Sequence, residues 1–261
     1  MQIDGARLVE FIAQRDTALA ASFVGVDPRR IHEVETGLGI RLPSAYVDFL
    51  TMMGEDGGPL RPFGETRVHT FSRLLAELPP RGYPAQRFFK VAVETDELAD
   101  GWFDTYLDLS RSDGNDAALV MFESPLDPQQ SDVPHEPLSF VETVVEHIFL
   151  SVEVARKKYG ARIFVHGDDP WRGVEIMQQV VQSLVAGGFT AVLPQSQRVA
   201  CLSRGPVSIL VTDSDTSELV DLRIGGDDLE ATELVVAPLM ATIPGASLYQ
   251  PAARQESESE I

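Results

Sequence analysis

Side chains of the types that chemistry requires are few in this sequence, and they are scattered. The five histidines, His32, His69, His135, His147 and His166, lack the i, i+4 pairing that sets two ligands on one face of a metal-binding helix. One cysteine, Cys201, excludes a thiolate zinc cluster and a disulfide framework alike, and its apolar neighbours mark a packed thiol. Two acidic runs hold oxygen ligands at short spacing. SDGND (112–116) lacks the alternating ligands and distal Glu of an EF-hand, so it reads as a hairpin turn. DSDTSE (213–218) brings Asp213, Asp215 and Glu218 near enough to hold a hard cation loosely, although a turn between strands explains it better. His166, Asp168 and Asp169 make a corner at a strand end, and with Asp213 and Asp215 they would be the only candidates for a metal-dependent hydrolase. Asp169 precedes a proline, however, and is explained as a helix cap. There is no phosphate loop, dinucleotide fingerprint or nucleophile elbow. The expectation is a protein that is not an enzyme, with no metal and no cofactor.

Charge carries more information than these groups do. The 261 residues include 40 acidic and 21 basic side chains, a formal net charge of −19. Such a surface repels phosphate backbones and anionic lipid, which argues against nucleic acid and membrane as partners. The acids are concentrated. Residues 1–93 balance at 11 acidic and 11 basic, whereas residues 94–153 hold 15 acids and only Arg111. Those with a turn-like setting are Asp96, Glu97, Asp100, Asp104, Asp113, Asp116, Asp127 and Asp132, and they are expected to be exposed. Trp102 and Phe103 lie inside this run and could anchor a partner or pack inward. The early Asp4, the short first apolar run and the lack of a long apolar stretch point to a soluble cytoplasmic chain without a secretory signal.

The elements that would position these groups follow from periodicity and caps. A first helix is expected over residues 4–19, with Leu8, Phe11 and Ile12 inside. Asp27-Pro28 opens a second, which Gly39 ends, and Leu42-Pro43-Ser44 opens a third carrying Tyr46, Phe49, Leu50 and Met53 on one face. FFKVAVETD (88–96), TYLDLS (105–110) and AALVMFE (117–123) read as strands. Ser139 and Glu142 form a capping box for a long helix that Gly160 would close. A strand at 161–167, a helix with Val174, Met177, Val181, Leu184 and Val185 inside, four short strands and a helix over 228–242 complete the chain. The fold class expected is α+β: N-terminal helices with a mainly antiparallel twisted sheet in residues 1–159, a small α+β domain in 160–251, and an acidic tail in 252–261. Nothing in the pattern specifies an oligomeric state.

The run IHEVETGLGIRLPSAYVDFLTMMGEDGG (31–58) resembles the SUKH superfamily of immunity and regulator domains. Ile31, Glu35, Leu38, Leu42, Pro43, Tyr46, Phe49, Leu50, Gly57 and Gly58 fill the family's motif, with Gly39 beside Leu38, and Asp56 stands where the family commonly has Asn. The hydrophobic spacing makes these residues fold-forming. What the resemblance implies is binding: bacterial members are similar to immunity proteins that neutralise toxin domains, often nucleases, and fungal members act as regulators. A basic toxin domain bound by Asp96, Glu97, Asp100, Trp102, Asp104, Asp113, Asp116, Asp127 and Asp132 is the expected partner. A regulatory interaction module without a toxin is the alternative.

Overall fold

Local signals set most helix ends. The computed structural model describes residues 5–76, 86–95, 103–123, 135–166, 173–214 and 219–249. The first expected helix is two, α1 (Gly5–Ala13) and α2 (Thr17–Ala21), because the Asp16 carboxylate accepts from Leu19 N at 2.8 Å and restarts the chain as an N-cap. Helix α3 (Pro28–Leu38) is capped by Asp27 and ends at Gly39, whose φ of 65° is the left-handed conformation glycine adopts without strain. Helix α4 (Ser44–Met53) follows, and then β1 (Arg67–Val68) and α5 (Phe71–Ala76).

The first sheet joins β1 to β2 (Phe88–Glu94), β3 (Phe103–Ser112), β4 (Ala117–Glu123) and β5 (His135–Ser139), in the order β1-β2-β3-β4-β5 and antiparallel throughout. SDGND is the turn between β3 and β4. The Ser139–Glu142 capping box opens α6 (Phe140–Phe149). That helix stops well short of Gly160: a π-helical turn, Leu150–Val154, follows it, and Gly160 lies in β6 (Tyr159–His166) opposite Gly225.

The second sheet comprises β6, β7 (Thr190–Ala191), β8 (Val199–Arg204), β9 (Val207–Ser214), β10 (Leu219–Gly226) and β11 (Ala246–Leu248), ordered β11-β6-β10-β9-β8-β7 and antiparallel. Helices α7 (Gly173–Ala186) and α8 (Leu229–Thr242) close one face of it over Ile163, Val165, Ile209, Val211, Val220 and Leu222. On α7, Met177, Val180 and Leu184 point inward, whereas Val185, expected inside, is 52% exposed.

The class is therefore α+β, with two antiparallel sheets. Alternation in β8 and β9 explains how the sheets meet. Ala200, Leu202, Ile209 and Val211 face α7 and α8, while Val199, Cys201 and Leu210 turn the other way and join the core of the first sheet. Phe140, Val141, Val144, Val145, Ile148 and Phe149 are all buried in that same core. A helix apolar nearly all round needs cover on every side, and α6 has it by touching β4 and β5 of one sheet and β8 and β9 of the other.

Candidate functional site

The nine expected partner-binding residues separate into three groups. Asp96, Glu97, Asp100, Trp102, Asp127 and Asp132 lie outside the described residues. Asp113 is exposed in the β3–β4 turn, where backbone N–H groups of Asn115 and Asp116 donate to its carboxylate at 2.8 Å. Those two bonds hold its pKa below the usual range, the Asp116 contact most strongly. Asp104 and Asp116 correct the expectation of exposure. Asp104 is 8% exposed, pairs with Lys90 Nζ at 2.6 Å and accepts from Glu94 N at 3.1 Å. Asp116 accepts from the Ser139 hydroxyl at 2.6 Å and from the amides of Ala117 and Val141, so it braces the entrance to α6. Burial raises its pKa against the pull of those bonds.

Other acids of the 94–153 window are engaged in the same way. Glu94 pairs with Arg67, Asp108 with Arg87, and Glu153 with Arg15 and Lys157. Burial opposes the Glu153 charge, but the Ser208 hydroxyl and Arg15 outweigh it and leave the pKa lowered. Arg15, Arg67, Arg87, Lys90 and Lys157 all come from outside the window. Folding thus brings cations to acids that the linear charge count leaves bare.

The motif residues sit together on α3, α4 and the turn after them. Ile31, Leu42, Tyr46, Phe49 and Leu50 are buried, and Leu38 is half-buried against them. Glu35 reaches forward to accept from Leu42 N at 2.8 Å. Pro43, expected near the start of α4, is its N-cap. The amides of Ser44 and Ala45 donate to the carbonyls of Gly114 and Asn115, each at 3.0 Å, so the SDGND turn caps the start of this helix. Asp56 accepts from Gly58 N at 2.8 Å, a bond that the oxygen of either Asp or Asn can make.

Sequence reasoning missed a cleft of about 380 Å³ between the two sheets. Its first wall is Phe63, Arg67, Thr105, Leu119, Met121 and Leu138, and Glu146 of α6 closes one side. The second wall is Arg162, Asp213, Leu219, Asp221 and Arg223. Arg162 grips Asp221 through Nε and Nη2 at 2.7–3.1 Å, and Arg223 Nε adds a third donor at 2.9 Å. Glu146 lies 4.0 Å from Arg223, and burial raises its pKa. The signal was the D-L-R alternation in LVDLRI: with Val220, Leu222 and Ile224 packed on one face, Asp221 and Arg223 must share the other.

The remaining chemical groups do not converge. His166 is exposed at the end of β6, Asp213 is buried, and Asp168, Asp169, Asp215 and Glu218 lie outside the described residues. Among the described residues, no three His, Cys, Asp or Glu side chains stand close enough to share a metal ion. Cys201 is buried, which pushes its thiol well above the ordinary range. No helix among the described residues is long and apolar enough to cross a membrane. Compared with protein-family models and with curated protein sequences, the chain finds no match in either.

Proposed function

We propose that this protein is a non-enzymatic immunity protein of the SUKH type, which binds a basic toxin domain through acids carried at one end of its first sheet. The observation that supports this reading most is topological. The β2–β3 connection (96–102) holds Asp96, Glu97 and Asp100, and the β4–β5 connection (124–134) holds Asp127 and Asp132. Neither contains a basic residue. Phe103 pairs with Glu123, and Arg67 with Glu94, so both connections are rooted at the same end of the sheet. The Asp113 turn roots at the opposite end. Glu94, Asp104, Asp108 and Glu153 are paired with cations of the same chain, so attraction for a cationic partner falls to these two connections, the first of which also holds Trp102. Complementary potential of this kind speeds encounter and selects partners.

The test is co-expression with the product of the neighbouring open reading frame, scored by cell survival. The parent protein should rescue. A variant with Asp96, Glu97, Asp100, Asp127 and Asp132 changed to Asn or Gln should not, while keeping its circular dichroism spectrum. Rescue by both would keep the immunity role and remove these acids from the interface. A harmless neighbour, together with an endogenous partner recovered from unchallenged cells, would favour the regulatory alternative.

A further inference from the structure

The second sheet ends in an edge that none of the described strands covers. β11 pairs with β6 on one side and is the last strand in the order β11-β6-β10-β9-β8-β7. Its ladder shows which backbone groups are spent. His166 N donates to Gly245 O at 3.1 Å and Tyr249 N to Arg162 O at 2.8 Å, so the odd-numbered residues bond inward. Antiparallel alternation then turns the N–H and C=O of Leu248 to the open side. An open strand edge is a template for another strand.

The side chains around that edge are apolar and exposed. Among the described residues the exposed large hydrophobics are Val24, Val185, Leu229, Leu234, Leu248 and Tyr249, and all but Val24 lie on α7, α8, β11 or next to it. Leu248 is 42% exposed on the face that the helices cover, since it sits opposite the buried Ile163. Helix α8 touches β11, and its outer surface carries Leu234, 65% exposed, in one stripe with Ala237, Pro238 and Ala241. Residues 229–249 contain two acids, Glu230 and Glu233, and no basic residue. In a chain of net charge −19, a second copy meets little repulsion on such a surface, and a basic partner gains little from it.

We propose that the β11 edge and the outer face of α8 form the interface of a homodimer, in which β11 pairs antiparallel with β11 of a second copy. A two-fold axis through the Leu248 pair lets each Leu248 N–H donate to the other's C=O, because a symmetric interface presents the same groups twice. The two six-stranded sheets then continue as one, with a copy of α8 on each side of the axis. Salt separates this contact from the partner surface proposed above: screening relieves repulsion between two acidic copies but weakens capture of a cationic partner. Sedimentation velocity of the full chain, over a dilution series at low and high salt, is the test. A monomer–dimer equilibrium that moves toward dimer with salt is expected. Leu248→Pro removes the outward donor and no bond to β6, so the dissociation constant should rise about tenfold. Leu234→Glu, at an exposed helix position, should weaken the dimer as well, and Val24→Ser should leave it intact. A chain that stays monomeric at every concentration and salt overturns the proposal, and so does a dimer that Leu248→Pro and Leu234→Glu both leave unchanged. Dimerisation only after removal of residues 252–261 would give the edge to the chain's own tail, and overturn it too.

Discussion

At the residue scale, two histidines tie stability to pH. His69 is buried beside Gly57, and His147 Nε2 accepts the Arg61 amide at 2.8 Å, a bond that requires that nitrogen unprotonated. Burial, with help from the Arg61 charge, lowers both pKa values from 6.5 to about 4. The sign follows from proton counting. Above pH 6.5 neither folded nor unfolded chain binds these protons, and the full stability is present. Between pH 6.5 and 4 the unfolded chain takes them up and the folded chain does not, so stability falls, by roughly 2–3 kcal/mol per histidine. Urea midpoints at pH 7, 6 and 5 should decline accordingly, and His147→Gln should make the decline shallower. A flat profile would show that these imidazoles are not held neutral. Glu35 offers a second check. Truncating it in Glu35→Ala strands the Leu42 amide and should cost about 1–2 kcal/mol, read as a lower denaturation midpoint.

At the element scale, what was legible in the sequence was what is decided locally. The Asp27 cap, the Gly39 terminus, the Ser139–Glu142 box and the Asp-Gly turn each depend on residues within four positions of one another, and each forms. The expected first helix divided because Asp16 is a stronger cap than the apolar spacing around it suggested. Burial of Asp104 was not legible, since its partner Lys90 comes from the neighbouring strand and pairing is a non-local fact. The cleft escaped for the same reason: its walls are about a hundred residues apart in the chain. Where β10 passes the π-helical turn, a Cβ on Gly225 would lie 2.4 Å from Val154 O, a backbone atom with little room to yield. Gly225→Ala should therefore lower the thermal midpoint by several degrees, equivalent to about 1–3 kcal/mol. An unchanged midpoint would mean that the strand and the turn separate freely.

At the scale of the whole molecule, the two sheets share contacts that neither half can supply to itself. Leu193, Val199, Cys201 and Leu210 complete the core that holds α6, and Ser208 and Arg15, from opposite sides of residue 159, meet on Glu153. Lys157 adds a bridge to Asp227 at 2.7 Å. A chain ending at residue 159 would strip from α6 the cover it takes from β8 and β9, and exposed apolar patches of that kind promote association. Residues 1–159 expressed alone should be markedly less stable than the whole chain, or self-associate. The intact protein should unfold in one transition, with far-ultraviolet circular dichroism and hydrogen exchange of β3 and β9 moving together. Two separated transitions would instead make each sheet a stability unit of its own.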